Sequence, residues 1–561
     1  MTRPFSSTRS RAAVLAVSAL ALGLNACGSD SSSDSSSSGS SSNASASTGK
    51  PVSGGTLRFA INSDSNCLDP HQSPADVAGF FSRPILDSLV ALDVDGKLSP
   101  WLATKWSVSK DQKTYSFTLR DDVKFSNGET FDGAAVKANL DHIVDPKTKS
   151  QLAANTIATY SGTTVVDATH VKVHFKSPNS AFLPSAASAY LGIEAPSTLK
   201  QAPEKLCSKV VGSGPFVSKD GYVPQKGIEY VKNPAYAWGP GNAKHQGAAY
   251  LDRLSVSVIP EDSSRYGALT SNQIDAIASV PPVNVKALKG TPGFAVDTAS
   301  APGGNYSYYP NTQSGPFKDI RVREAFRAGI DWKTIVDKLY FGVFPAANGP
   351  LGPTTVGYDG SSAAAYAFDK AKAEKLLDEA GWTGRDSAGY RTKDGKRLTL
   401  LHPYLKAYVR EQRDVLGDQI QAAAKELGIE VVNKNTTLDA YLKQLGDGTA
   451  DLGDLSWQRS SPDALRTLFG TENIAPKGGF GTNQARYSNP KLDALLKQGL
   501  AETDLAQQKA TYAQAQQLIA KDAATFPVYV FDYVLGRSDK VQGITFEPQA
   551  YPTFYDAWIG S

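Results

Sequence analysis

Across residues 100–143 the spacing of apolar positions changes period, and the change predicts two elements. Tyr115, Phe117 and Leu119 alternate with Thr114, Ser116 and Thr118, the two-residue period of a half-buried strand. Asp121-Asp122 and Ser126-Asn127-Gly128 supply turns. The period then lengthens. Val136, Leu140 and Ile143 form a helical stripe opened by Asp132, whose carboxylate can accept the free backbone N–H groups of the first turn. Phe131 and Val136 bracket that cap as a hydrophobic staple. None of these residues proposes catalysis; the stretch is scaffold.

The same reading extends over the chain. A strand over 56–61 leads into a loop, 62–71, that ends in Leu68-Asp69-Pro70. A helix follows over 76–92, broken at Pro84, and then a turn at 93–96. Strands over 163–167 and 171–175 form a hairpin, and a short helix starts at Phe182. Further strands cover 227–232 and 254–259. Beyond Pro316 helices dominate. Asp319 caps one carrying Val322, Phe326 and Ile330, and Asp331 caps the next. Helices also begin at Asp369, stopping at Gly381, and over 411–427, stopping at Gly428 before a strand at 429–432. Asn489 with Pro490 opens another, 503–523 follows, and a strand over 527–531 precedes an aromatic-rich tail. Alternating helices and strands argue for α/β lobes.

The 561 residues exceed one core, so two or three lobes are expected. The net charge of +3 comes from the leader. Arg3, Arg9 and Arg11 precede Cys27 with no acidic residue among them, and without those three of the 58 basic residues, 55 face 55 acidic ones. A neutral body argues against nucleic acid or an anionic membrane surface as partner. A basic head, an apolar run over 12–24 and Asn25-Ala26-Cys27 make an export leader, 1–26, too short to span a membrane. Leu24-Asn25-Ala26-Cys27 resembles the bacterial lipobox, which makes Cys27 the expected lipidation site; the alternative is plain secretory cleavage near Ala26. Of residues 29–48, 13 are serine, so 27–54 reads as a flexible tether reaching about 30 Å. Cys67 and Cys207 are the remaining cysteines. Outside the cytoplasm such a pair is expected to be bridged, the alternative being two buried thiols.

A search for chemistry returns little. His71, His142, His170, His174, His245 and His402 form no H-E-x-x-H and no zinc pairing with cysteine. His170 and His174 lie on an alternating strand, where a spacing of four makes no helical metal face. No metal and no cofactor are expected. Nucleophile elbow, Walker loop and dinucleotide fingerprint are all missing, so no sequence motif proposes an enzyme. Pockets need apolar walls with a few directed polar groups. Two clusters qualify: Tyr306-Ser307-Tyr308-Tyr309, and Trp457-Gln458-Arg459-Ser460-Ser461-Pro462-Asp463. Arg459 offers a planar donor fork suited to a carboxylate or phosphate, against the alternative of a structural ion pair.

Several stretches resemble the family 5 extracellular solute-binding proteins, receptors of peptide, dipeptide and nickel ABC importers. These are Pro100, Leu102-Ala103 and Trp106; the strand end 117–120; 123–128; Val211-Gly212-Ser213-Gly214-Pro215-Phe216; 233–238; and Arg321, Arg323, Ala325 and Asp331. The resemblance implies an α/β periplasmic-binding-protein-like fold: two hinged large lobes, a small extra lobe, and a ligand enclosed between the large ones. It divides the chain into a first large lobe (55–98, 212–312 and 526–561), a small lobe (99–211) and a second large lobe (313–525). It carries over Asp64, Ser65 and Asn66 as a ligand-facing run, beside Tyr306, Tyr308, Tyr309, Trp457, Arg459 and Ser460. In peptide receptors of the family the acid that pairs with the ligand's ammonium falls on Ser460 here, and Asp463 matches a structural acid. Either the ligand lacks a free amine, or another acid such as Asp64 serves. The expected role is capture of a peptide or similar small polar solute by a lipid-anchored monomer that delivers it to an ABC permease. A nickel or metal-complex receptor, a secreted hydrolase, and a sensory or adhesive lipoprotein are the alternatives.

Overall fold

The strand Thr56–Ile61 forms the centre of a seven-stranded sheet, and its two neighbours, Arg253–Val258 and Ala276–Ile277, both run parallel to it. On one side the sheet continues antiparallel through Gly227–Lys232 to Phe216–Val223, on the other through Asp532–Ser538 to Phe294–Ser300. Leu57, Phe59 and Ile61 are buried in its core. The structure, a computed structural model, describes residues 49–560 apart from 74, 76, 151, 478 and 480. The leader, Cys27 and nearly all of the serine-rich tether lie outside the described residues.

The expected helix over 76–92 is mostly replaced by other structure. Asp76 lies outside the described residues; the helix spans Ala78–Ser82 and ends before Pro84, which has no N–H to continue the ladder. The apolar run beyond it is buried on all sides, and Val90–Leu92 pairs antiparallel with Leu98–Pro100. Periodicity cannot separate a fully buried strand from a buried helix, which accounts for the misreading. The turn Val211–Phe216 meets this segment. A Cβ on Gly214 would stand 2.6 Å from the Ile85 carbonyl carbon, and Gly214 N–H donates to Ile85 O at 2.8 Å. Glycine is required there because two backbones touch.

The strand and helix of residues 114–144 fold as read. Thr114–Leu119 lies second in a four-stranded antiparallel sheet with Ala103–Val108, His170–Phe175 and Tyr160–Val165. The helix Gly133–Val144 packs on that sheet, and Asp132 Oδ1 accepts from Ala135 N at 2.9 Å. This sheet's core is continuous with that of the seven-stranded sheet. Cys67 and Cys207 are bonded, joining the first loop to the helix Pro203–Ser208.

A second core gathers the helices Ile320–Gly329, Trp332–Tyr340, Lys370–Glu379 and Arg413–Glu426 around a parallel pair, Thr399–Tyr404 and Glu430–Asn435. It also includes a three-stranded antiparallel sheet whose middle strand, Gly303–Pro310, lies between Leu452–Gln458 and Phe526–Tyr529. Asp319, Asp331, Asp369 and Asn489 cap their helices as read. The expected helix over 411–427 starts late, at Arg413. Glu411 and Gln412 take φ of 49° and 53°, and Gln412 makes no side-chain cap.

Candidate functional site

Strand geometry explains how one short segment serves two cavities. Successive side chains of a strand point to opposite faces. At the end of Leu452–Gln458, Trp457 faces one way, and Ser456 and Gln458 the other. The Trp457 side opens into a cavity of about 620 Å³, mouth included. It is walled by Arg459, Ser460 and Arg466, and across the gap by Pro184 and Tyr190. The Ser456 side faces a cavity walled by Arg410, Glu411 and Arg413, with Asn62, Ser63 and Phe531 opposite. Gln549 lines both.

On the first side the Arg459 guanidinium lies 4.7 Å from the Trp457 ring centre and 5.6 Å from that of Tyr190, and Nη1 donates to Gln458 O at 2.6 Å. An arginine plane on an indole face is a cation–π arrangement. Ser460 lines the same cavity. Asp463, its one acid, is tied to Arg466 at 2.8 Å. Burial pushes the Asp463 carboxyl above its ordinary range, against the pull of Arg466. It packs at the start of the helix Ala464–Phe469, the structural part read for it.

On the second side Arg413 is held from several directions. Its guanidinium lies 4.1 Å from the Tyr306 ring centre, Nε donates to Tyr529 Oη at 2.9 Å, and Nη2 meets Glu411 Oε2 at 2.9 Å and Ser456 Oγ at 3.4 Å. Burial alone would lower its pKa. Tyr529, Glu411 and Tyr306 more than offset that, so it stays firmly protonated. The consecutive left-handed residues Glu411 and Gln412 turn Arg410 and Glu411 into the cavity. Two non-glycine residues in this conformation store strain of a kind that clusters at ligand clamps. The cavities together present four arginines against two acids, and each of those acids already pairs with an arginine.

Other expected site residues fall elsewhere. Tyr306, Tyr308 and Tyr309 line neither cavity, because Gly303–Pro310 is a middle strand covered on both faces and all eight of its residues are buried. Tyr306 donates to Asp454 at 2.7 Å and lies beneath Arg413; Tyr308 packs on His402 and Trp332; Tyr309 packs on Phe469. Asp64, Ser65 and Asn66 also line neither cavity; Asn62 and Ser63, just before them, line the second. Asp64 accepts from the Tyr222 hydroxyl and from Gln225 N–H at 2.8 Å. Ser65 N–H bonds Tyr222 Oη, and Asn66 adopts φ 58° with its N–H on Asp64. His170 pairs with Asp167 and His174 with Thr114 and Thr164, so the two do not converge on an ion. Sequence reading missed Arg410, Glu411, Arg413 and Gln549. One signal was present: the expected helix over 411–427 offers no Ser, Thr, Asp or Asn at its start, as a capped helix would.

Sheets and helices gathered in separate cores, with arginine- and tryptophan-lined hollows beside the end of Leu452–Gln458, give the architecture of a solute-binding protein of the periplasmic type. The chain belongs to the bacterial extracellular solute-binding proteins, family 5, whose "Middle" profile matches residues 97–473. It therefore acts outside the cytoplasm as the solute-binding protein of an ABC importer, and it is not an enzyme. It is 28% identical to Heme-binding protein A of Haemophilus influenzae over 484 residues, 82% of this chain and 83% of that protein. It is 27% identical to the Glutathione-binding protein GsiB of Escherichia coli K12 over 507 residues, 89% of this chain and 93% of that one. The crystal structure of NikA from Brucella suis in complex with Fe(III)-EDTA superposes with a TM-score of 0.77 at 25% identity, covering 90% of this chain and 100% of NikA. The oligopeptide-binding type of fold expected from the sequence is the fold found.

Proposed function

We propose that the two cavities flanking Trp457 are one binding site for a carboxylate-bearing solute of peptide size. The observation that carries this is the lining itself, with Arg459 and Arg466 beside Trp457 in one cavity and Arg410 and Arg413 beside Phe531 in the other. A guanidinium fork matches a carboxylate in two parallel hydrogen bonds, and Trp457 supplies the apolar face such a ligand also needs. Ser460 stands where peptide receptors of the family place an acid, and Asp64 is taken by Tyr222 and Gln225. Recognition therefore rests on the ligand's carboxylate rather than on an ammonium. Trp457, Arg459 and Ser460 contact the ligand on one side, Arg410 and Arg413 on the other, and Tyr306 acts from behind Arg413. The likeness to glutathione and Fe(III)-EDTA binders supports an anionic solute, and a metal complex grasped through its carboxylates is the second reading.

The solute is handed to the membrane subunits of an ABC permease by a monomer held on a lipidated Cys27. The basic head, apolar run and Leu24–Cys27 motif of the leader support the anchor. Release of the Cys27→Ser protein from the membrane fraction tests it. Sheet membership supports the lobe divisions 55–98 with 212–312 and 526–561, 99–211, and 313–525, with one adjustment. We assign the strands Gly303–Pro310 and Phe526–Tyr529 to the second large lobe, because they pair in one sheet with Leu452–Gln458. A ligand closes the lobes only through contacts made in the closed form alone.

Calorimetric titration with small peptides and carboxylate metabolites, each paired with its N-acetyl and its carboxamide derivative, tests the reading. Acetylation should leave affinity within about threefold, whereas amidation should cost about 100-fold, a lost charge-assisted pair. The reverse ranking would overturn it.

A further inference from the structure

Far along the chain from the arginines, three ionisable side chains meet in a fully enclosed position. Asp69 and His71 come from the loop after Thr56–Ile61, and Glu194 from the segment following the short helix Ala189–Leu191. One ligand atom from each lies within 4.8 Å of the other two. His71 and Glu194 side chains are both 0% exposed, with Nδ1 and Oε1 3.9 Å apart. That separation is too long for a hydrogen bond. It suits two ligands of one ion, since bonds of about 2.0–2.2 Å from a shared metal place neighbouring donors about 3–4 Å apart.

The hydrogen bonding leaves this space without a partner. His71 Nε2 lies 3.0 Å from Gly192 O, and a carbonyl can only accept. Nε2 therefore carries the proton of the neutral ring, and Nδ1 points its lone pair at the cluster. Fixing one ring nitrogen on a backbone carbonyl is how proteins orient a metal-ligating histidine. Nδ1 itself has no hydrogen-bond partner among the described residues, and the Glu194 oxygens have none besides the Asp69 carboxyl next to them. Asp69 is steadied by His71 N–H at 2.7 Å and by the Gln72 amide. His142, on the helix Gly133–Val144, stands beside them with its ring centre 5.6 Å from that of His71 and a buried, unpartnered Nε2. The two buried carboxyl groups beside this lone pair have no Lys or Arg ion pair among the described residues. Burial of this kind is expected to be paired or to coordinate a metal.

We propose that Asp69, His71 and Glu194 bind a divalent transition-metal ion, with His142 or water in a fourth position. Nitrogen and carboxylate donors in this number suit zinc among the first-row ions. The site is structural. It ties the first loop of the large sheet to the small lobe beside the Cys67–Cys207 bond, and it plays no part in ligand capture.

Tag-free protein, stripped with a chelator and dialysed, is titrated with Co²⁺ alone and with Zn²⁺ alone. The expected result is one equivalent of cobalt giving visible ligand-field bands that zinc abolishes. Because loss of even an outer-shell partner costs about 10- to 100-fold in metal affinity, Glu194→Gln should weaken uptake by about tenfold or more. Should that variant not fold, zinc-edge X-ray absorption on the loaded native protein replaces it, with an all-nitrogen-and-oxygen shell containing imidazole expected. Absent cobalt bands, undiminished uptake by a folded Glu194→Gln protein, or a shell without imidazole would overturn the site. A proton shared between Asp69 and Glu194 would then account for the cluster.

Discussion

The two faces of the strand end at Ser456–Gln458 hold arginine in contrasting ways. On one face Arg459 lies on Trp457, two residues away, and both groups remain partly open to the cavity. On the other, Arg413 is clamped by Glu411, two residues away, and by Tyr306, Ser456 and Tyr529 from three distant segments, and the loop before it is strained. The Arg459 guanidinium is stacked between the Trp457 and Tyr190 rings at a half-exposed position. A clamped one has its ordering cost already met by the fold and offers a single geometry. The first face is then the adaptable wall and the second the fixed one, and preorganised groups contribute more to affinity per contact.

The largest expected effect lies on the clamped side. Arg413→Ala removes Glu411's bond to Arg413, and breaking a mostly buried pair from one end costs up to about 3–5 kcal/mol of stability. Thermal unfolding should register that loss, and calorimetry a loss of carboxylate binding in whatever protein remains folded. Arg413→Lys should keep the charge but not the bonds to Tyr529 and Ser456, and should recover stability more than affinity. A variant as stable as the native protein would erase the contrast between the faces. Next comes Trp457→Ala. Removing an aromatic wall should weaken ligand binding by roughly 30-fold, about 2 kcal/mol, with a stability change of only about 1 kcal/mol. Unchanged affinity would remove Trp457 from the site.

What the sequence revealed follows the same division. Trp457, Arg459 and Ser460 are neighbours in the chain, so their clustering needed no tertiary knowledge, and all three line one cavity. Arg413 reads as part of the first turn of the expected helix over 411–427. Its role depends on Glu411 and Gln412 leaving the helical region, which no propensity encodes. Tyr306, Tyr308 and Tyr309 were misjudged because alternation shows that side chains take both faces, not whether both faces are covered. The helix and strand of 114–144, with their cap and even spacing, were legible because local and tertiary preferences agree there. The segment 85–92 was not legible, since its burial comes from partners distant in sequence.

A quieter difference between the faces concerns their acids. Burial raises Asp463, beside the open cavity, above its ordinary pKa despite Arg466. Asp454, behind Tyr306, is also pushed upward by burial, but hydrogen bonds and charge from His402, the Tyr306 hydroxyl and Arg413 bring it below the ordinary range. A carboxyl with a raised folded pKa binds its proton more tightly in the native state. Its stabilising contribution is complete below the unfolded value of about 3.9 and disappears as pH rises through the folded value. A carboxyl with a lowered folded pKa behaves in the opposite sense, contributing above about 3.9 and losing that contribution as pH falls through the folded value. Unfolding midpoints of native, Asp463→Asn and Asp454→Asn proteins across the acid range should therefore diverge. The native advantage over Asp463→Asn shrinks as pH rises, while that over Asp454→Asn grows. Slopes of the same sign would mean that both acids sit in one kind of environment, and that the clamped face is no more preorganised than the open one.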